Sequence, residues 1–368
     1  MKIAVIHDRF VNRGGAERVA LEIAKALKVD TIYTAHYEPE KTFEEIQKFN
    51  IIEIHPTRDV SWDKQHAINR MVDGIKFSFL KEVSEYDLIW TSGMWAMFAS
   101  KNNPRNIWYC HSPNRALYDL YEHFKKRYHW IGWKGVFIIW ASFWRKIDQY
   151  HINFVREIVV NSRNTKRRVK AAYNRRSEVI HPPVDTKKFY WGESEGYWLS
   201  VQRIMPEKRV ELQIEIFKKV SGENLIIVGN VDENSQYYRM IKKKADKLPN
   251  VRLMVGVDDK TLVELYAHSK GVIQTAIDED FGLVPIEAMA AGKPVFAVNE
   301  GGFRETVIDG ITGRLINPPY LENFIKAIKE FDETKYNPKV IRTWAENFSV
   351  EKFRDKIKKK TKEVIRNE

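Results

Sequence analysis

The chain of 368 residues carries 61 Lys and Arg against 49 Asp and Glu, a formal net charge of +12, with 43% hydrophobic residues. That length exceeds one ordinary domain and suits two, each with its own core, and the composition excludes a disordered chain. The only cysteine, Cys110, excludes a disulfide within the chain and suits a reducing compartment, and the longest apolar run, residues 135–144, is too short to span a bilayer.

Read in chain order, "KIAVIH" (2–7) is a short β-branched run expected as a buried strand. A strand starting at Lys2 leaves no room for a signal peptide, so a cytoplasmic protein is expected. "GGAERVALEIAKAL" (14–27) follows with Val19, Ile23, Ala26 and Leu27 at helical spacing. Strand-like segments come at 31–37, 50–55, 87–93, 106–112 and 157–162, several separated by helical stretches. The second half repeats the alternation, with a strand over 196–203, a helix over 210–220, and five further strands from "NLIIVG" to "TGRLI". "IHPPVDTKKFYWGESEG" (180–196) lacks periodicity and holds two prolines, which puts the domain boundary near 184–192. A last, very basic helix is expected over 349–365. Alternating strands and helices predict an α/β protein with two parallel sheets, and a ligand at the carboxyl ends of the strands.

The motifs fall at such strand ends. "GVIQTAIDEDFGL" (271–283) reads as strand, loop and helix start, with Pro285 tolerable only in the first turn. The amides of Phe281, Gly282, Leu283 and Val284 then form an anion site suited to a diphosphate. Glu279, in the loop, suits sugar hydroxyls or positive charge developing on a sugar carbon, and Glu287, on the helix, suits the hydroxyls of a ribose. The plain alternative is a pair of ordinary helix-start and surface acids. "VQRIMPEKR" (201–209) supplies Arg203 at a strand end and Lys208 at the start of the next helix. Two fixed cations neutralise a departing diphosphate without a metal; a solvated basic turn is the alternative.

Gly14 and Gly15 form a strand-to-helix turn without the dinucleotide spacing, suited either to one phosphate contact or to turn geometry alone. His111 follows a strand end, where it would hydrogen-bond a transferred sugar, assist an acceptor hydroxyl, or merely cap the next helix. The tryptophan-rich segment 125–151, with Trp130, Trp133, Phe137, Trp140, Phe143 and Trp144 between cationic ends, reads equally as a helix at an anionic membrane surface or as a core helix. The positive surplus points to an anionic partner, yet no nucleic-acid-binding module is recognisable.

Gly14-Gly15, His111, Arg203 with Lys208, and Glu279 eight positions before Glu287 together resemble the retaining glycosyltransferases of family 4. "EDFGLVPIEAMAAGKPVFA" (279–297), "GGFRETVIDGITGRLI" and "WAENFSVEKF" extend the likeness over nearly the whole chain. "YCHSPNRALYDLYE" and "VIHPPVDTKKF" are most similar to the mannosyltransferases of surface polysaccharide and lipid-linked glycan assembly. The resemblance implies a GT-B fold: two Rossmann-like domains, residues 1–184 and 190–348, facing a cleft, with the helix 349–368 crossing back to the first.

It also implies that Arg203 and Lys208 hold the donor diphosphate, with the amides of Gly15 and residues 281–284. Glu287 would hold the ribose, Glu279 the sugar, His111 would lie near the sugar, and the backbone of Val257 would meet the base. The family's usual glycine before the arginine is Gln202 here, which predicts a narrower wall at the donor site. The expected activity is retaining, metal-independent transfer of mannose or glucose from GDP-mannose or UDP-glucose to a glycan, with no resident cofactor. The acceptor hydroxyl would attack from the leaving-group face and pass its proton to a phosphate oxygen. The lipid-linked acceptor adds peripheral attachment at the inner face of the cell membrane to the expectation. A sugar-nucleotide epimerase on the same fold, and a non-enzymatic nucleic-acid binder, are the competing readings.

Overall fold

A computed structural model describes residues 1–54, 63–127, 133–231 and 233–366, without the side chains of 63–70, 127 and 133. The chain divides into two compact units: Met1–Pro183 with Glu351–Glu368, and Val184–Val350.

Unit 1 is built on a parallel sheet of β1 (Ile3–His7), β2 (Thr31–Thr34), β3 (Asn50–Glu53), β4 (Leu88–Ser92), β5 (Asn106–Cys110), β6 (Glu157–Val160) and β7 (Glu178–Val179). Their order is β3-β2-β1-β4-β5-β6-β7. The first strand thus sits mid-sheet, and the chain winds outward to one side and then to the other, the Rossmann-like arrangement. β1, β4 and β5 are buried along their whole length, as strands covered on both faces must be.

The helix Val350–Arg366 closes unit 1. Its buried stripe of Phe353, Ile357 and Val364 joins the core beneath β1, β4 and β5. Polar contacts fix it in place: Trp90 Nε1 donates to Thr361 Oγ1 at 3.1 Å, and Arg354 reaches the buried Glu22 at 2.6 Å. Lys360 bridges Glu157 and Glu178 on neighbouring strands, at 2.8 and 3.2 Å. The basic residues of this helix therefore include several that meet acids of the same unit.

Unit 2 carries β8 (Tyr197–Val201), β9 (Asn224–Gly229), β10 (Val251–Val255), β11 (Ser269–Gln274), β12 (Val295–Val298) and β13 (Gly313–Ile316), all parallel. The order β10-β9-β8-β11-β12-β13 repeats the arrangement of the first unit. Winding reverses between β8 and β11, and the carboxyl ends of strands at such a reversal are where open α/β sheets bind ligands.

The helix Trp133–His151 sorts its aromatic residues between two faces. Phe137, Ala141 and Trp144 are buried, whereas Val136, Ile139 and Phe143 are 56%, 73% and 57% exposed. Trp140 is half-buried, with Nε1 directed at Met71 Sδ at 3.3 Å and its ring stacked on Phe137. For these two tryptophans the core alternative holds: Trp140 and Trp144 belong to the core, and Val136, Ile139 and Phe143 form the outward stripe. The reason is the helical period, which places 137, 141 and 144 on one side and 136, 139 and 143 on another. Trp130 and the side chain of Trp133 lie outside the described residues.

Candidate functional site

In unit 2 the sequence motifs gather at the reversal of winding. Arg203 lies two residues beyond β8, exposed, and makes no hydrogen bond or ion pair among the described residues. Lys208 closes a 3-10 turn, Pro206–Lys208, and does not begin the following helix, which starts at Val210. The break falls at Arg209, whose left-handed backbone (φ 51°) ends the turn. Lys208 Nζ lies 2.5 Å from Glu279 Oε2, so the ammonium and the carboxylate assigned to diphosphate and sugar are ion-paired here.

The loop bearing Glu279 is held from two sides. Asp278, left-handed at φ 44°, donates its amide to Glu300 Oε2 at 3.2 Å. The other oxygen of Glu300 meets Arg209 Nη1 at 3.1 Å. Gly302 donates its amide to the carbonyl of Glu279 at 2.7 Å. Gly301, at φ 55°, lies so close that a Cβ there would come within 2.4 Å of that carbonyl oxygen. Two left-handed non-glycine residues in facing loops represent about 1–3 kcal/mol of strain each, held by these contacts.

Sequence reading missed Arg209, Asp278, Glu300 and Gly301. The doubled glycine of "EGGFRE" was the available signal, since close backbone approach demands it.

The helix after the loop runs Leu283–Ala290 with Gly282 as its cap at φ 91°, so Leu283 and Val284 open the first turn and Phe281 precedes the cap. A Cβ on Gly282 would stand 2.9 Å from the Phe303 ring, so both conformation and space require glycine. Phe281 turns inward onto Phe348 and is 2% exposed. Glu287 is half-buried, and its Oε2 accepts the Tyr266 hydroxyl proton at 2.7 Å. Burial raises its pKa, the Tyr266 bond opposing that shift. A desolvated, hydrogen-bonded acid is not an ordinary surface residue. Val257, half-buried, follows the carboxyl end of β10. Arg203, Lys208, Val257, Glu279 and residues 281–284 therefore all lie beyond the carboxyl ends of unit 2 strands.

Gln202, expected to line the donor site, is buried. Its side chain is 8% exposed and folds into unit 2, where it bonds Ser200 and Gln213. Its Nε2 finds two buried acceptors there, while among the described residues its Oε1 has no hydrogen-bond partner.

In unit 1, Gly14 caps the helix Gly15–Leu27, and the carboxylate of Glu17 lies against it. His111, one residue past β5, places Nε2 3.0 Å from Ser92 Oγ at the end of β4. His7 Nδ1, at the end of β1, lies 2.9 Å from the Ser92 carbonyl oxygen and 3.3 Å from its hydroxyl. Burial lowers the pKa of His111 to about 3, with His7 adding to the shift, and burial lowers that of His7 to about 4. Both rings are neutral near pH 7, so His111 acts there as a hydrogen-bonding group and not as a cation. Among the described residues its Nδ1 has no hydrogen-bond partner.

Among the described residues no group of three or more His, Cys, Asp or Glu could hold a metal ion.

Two family models match the chain in succession and together cover residues 13–359. Glycosyltransferase Family 4 matches residues 13–188, and Glycosyl transferases group 1 matches residues 184–359. The chain is 26% identical to the Alpha-1,3/1,6-mannosyltransferase ALG2 of Dictyostelium discoideum, over 92% of this chain and 91% of that protein. It is 26% identical to the enzyme of the same name from Homo sapiens, over 86% and 84% of the two chains. Among solved structures, sucrose-phosphate synthase from Thermosynechococcus elongatus superposes with a TM-score of 0.80 at 16% identity, covering 100% of both chains. Anabaena Alr3699/HepE in complex with UDP-glucose superposes with a TM-score of 0.77 at 19% identity, covering 99% of this chain and 100% of that one. These likenesses show the GT-B fold. A family 4 domain followed directly by a group 1 domain, each on a Rossmann-like sheet, makes this chain a glycosyltransferase.

Proposed function

We propose that this glycosyltransferase moves a hexose from a nucleoside diphosphate sugar to a hydroxyl of a lipid-linked glycan, with retention and without a metal. The observation that carries the reading is the Lys208–Glu279 ion pair just before the helix Leu283–Ala290, with the exposed Arg203 two residues past the end of β8, where the winding of unit 2 reverses. Cations and helix amides suit a diphosphate, and an acid beside them suits the sugar.

On this reading the diphosphate draws Lys208 from Glu279 and leaves that carboxylate to the sugar. Arg203, Lys208 and the amides of Leu283 and Val284 then stabilise the charge that grows on the leaving group. The acceptor hydroxyl attacks from the same face and gives its proton to a phosphate oxygen, so no protein base is needed. Glu287, oriented by Tyr266, holds the ribose. His111 offers a neutral ring to a sugar hydroxyl.

Mannose as the hexose is supported by the names of the relatives, and UDP-glucose as a donor by the ligand of the HepE structure. GDP-mannose and UDP-glucose are therefore the donors to try first. Peripheral attachment to an anionic membrane is supported by the outward stripe of Val136, Ile139 and Phe143 in a chain of net charge +12.

The test is transfer from UDP-, GDP- and ADP-sugars to lipid-linked saccharides, with and without EDTA, the product anomer being read by NMR. An α-linked product from an α-linked donor, formed undiminished in EDTA, is expected. An inverted anomer overturns retention, and loss of activity in EDTA overturns metal independence. Glu279→Gln should lower kcat by about 100-fold or more; nearly full transfer would remove Glu279 from the reaction. An epimerase would instead alter the donor when given nothing else.

A further inference from the structure

Arg203 and Lys208 carry long, flexible side chains, so a fixed spacing of their backbones lowers the entropy lost when both grip one diphosphate. A buried chain of hydrogen bonds runs between them. Gln202, immediately before Arg203, donates through Nε2 to Gln213 Oε1 at 3.2 Å. Gln213, fully buried on the helix Val210–Lys219, donates through Nε2 to Thr275 Oγ1 at 2.9 Å. Thr275, fully buried one residue past β11, donates to the carbonyl oxygen of Lys208 at 2.7 Å.

Gln213 and Thr275 each accept from one neighbour and donate to the next, so the polarity runs one way from the Arg203 strand end to the Lys208 turn. Such chains strengthen cooperatively, and a buried break leaves polar groups unsatisfied. Lys208 needs this anchor because the left-handed Arg209 separates its turn from the helix that follows.

We propose that the Gln202–Gln213–Thr275 chain is a positioning device that sets the spacing of Arg203 and Lys208 toward the donor diphosphate. Gln202 is then a positioning residue, where the family resemblance leads one to expect glycine. The inference rests on the donor-binding reading of the two cations.

The test is calorimetric titration of the whole protein with UDP, GDP and ADP. Thr275→Val keeps the shape and removes the hydroxyl; Thr275→Ser keeps the hydroxyl. The nucleotide that binds the parent should bind Thr275→Val about tenfold more weakly and Thr275→Ser within about twofold of the parent. In a Lys208→Ala background, Thr275→Val should add less than about a twofold loss, because the lever it moves is gone. Gln213→Met, an unbranched replacement without hydrogen bonds, should repeat the loss if Thr275→Val does not fold. Parent-like binding by Thr275→Val, equal losses in the Val and Ser variants, or an undiminished loss in the Lys208→Ala background would overturn the proposal. A parent that binds none of the three nucleotides overturns the donor reading itself, and the positioning role with it.

Discussion

Glu287→Gln should make the protein more stable at neutral pH and worse at binding nucleotide. Burial raises the Glu287 pKa above its ordinary value, and the Tyr266 hydroxyl only partly opposes this. The folded state therefore holds that proton more tightly than the unfolded chain does. Stability is lost as pH rises from the unfolded pKa through the folded one, and the full penalty remains above both. Each pKa unit of the shift is worth about 1.4 kcal/mol. Glutamine never ionises and still offers Tyr266 an acceptor oxygen, so the substitution removes the penalty and keeps the bond.

At about 2–4 °C per kcal/mol for a unit of this size, calorimetric scans at pH 7.5 should show a rise of that order. The two proteins should converge below about pH 4, where the carboxyl is protonated in both states. A charged acceptor for the ribose hydroxyls contributes about 1.5–3 kcal/mol, so affinity for UDP or GDP should fall by about 10- to 100-fold. A less stable variant at pH 7.5, a gain that persists in acid, or unchanged nucleotide affinity would each refute the reasoning.

Gly282→Ala should destabilise by about 1–3 kcal/mol, because alanine meets both φ 91° and the Phe303 ring; an unchanged urea midpoint would contradict this. The Hε1 resonances of His7 and His111 should show no midpoint between pH 5.5 and 8, since burial lowers their pKa values to about 4 and 3. The same shifts cost stability as pH falls from about 6.5 toward those values, because the unfolded chain binds the protons first; acid scans of His7→Gln should show a shallower loss. Replacing Val136, Ile139 and Phe143 together by Ser should weaken sedimentation with phosphatidylserine vesicles with little change in Tm, whereas replacing Trp144 should mainly lower Tm. Undiminished vesicle binding by the triple variant would remove the membrane role of that stripe.

Strand and helix order were readable from local pattern, because fully buried parallel strands are continuous apolar runs and covering helices keep a 3.6-residue period. The two-residue strand Glu178–Val179 went unseen because it carries no period of its own and exists only through pairing with β6. In the candidate site, local pattern placed Arg203 and Glu279 beyond strand ends and Glu287 on the helix that follows, whereas Lys208 closes a 3-10 turn and opens no helix. Arg209 and Glu300 were not legible, since 91 positions separate them and only folding brings a guanidinium to that carboxylate.

The amino-acid order alone therefore determined the alternating elements, the parallel sheets and the charged residues beyond their ends, all of which follow from short-range periodicity and turn chemistry. Only the tertiary structure decided that Gln202 turns inward, that Lys208 meets Glu279, and that Trp144 belongs to the core while Ile139 faces out. Those outcomes depend on which groups become buried together, and burial is a property of packed elements, not of any one segment.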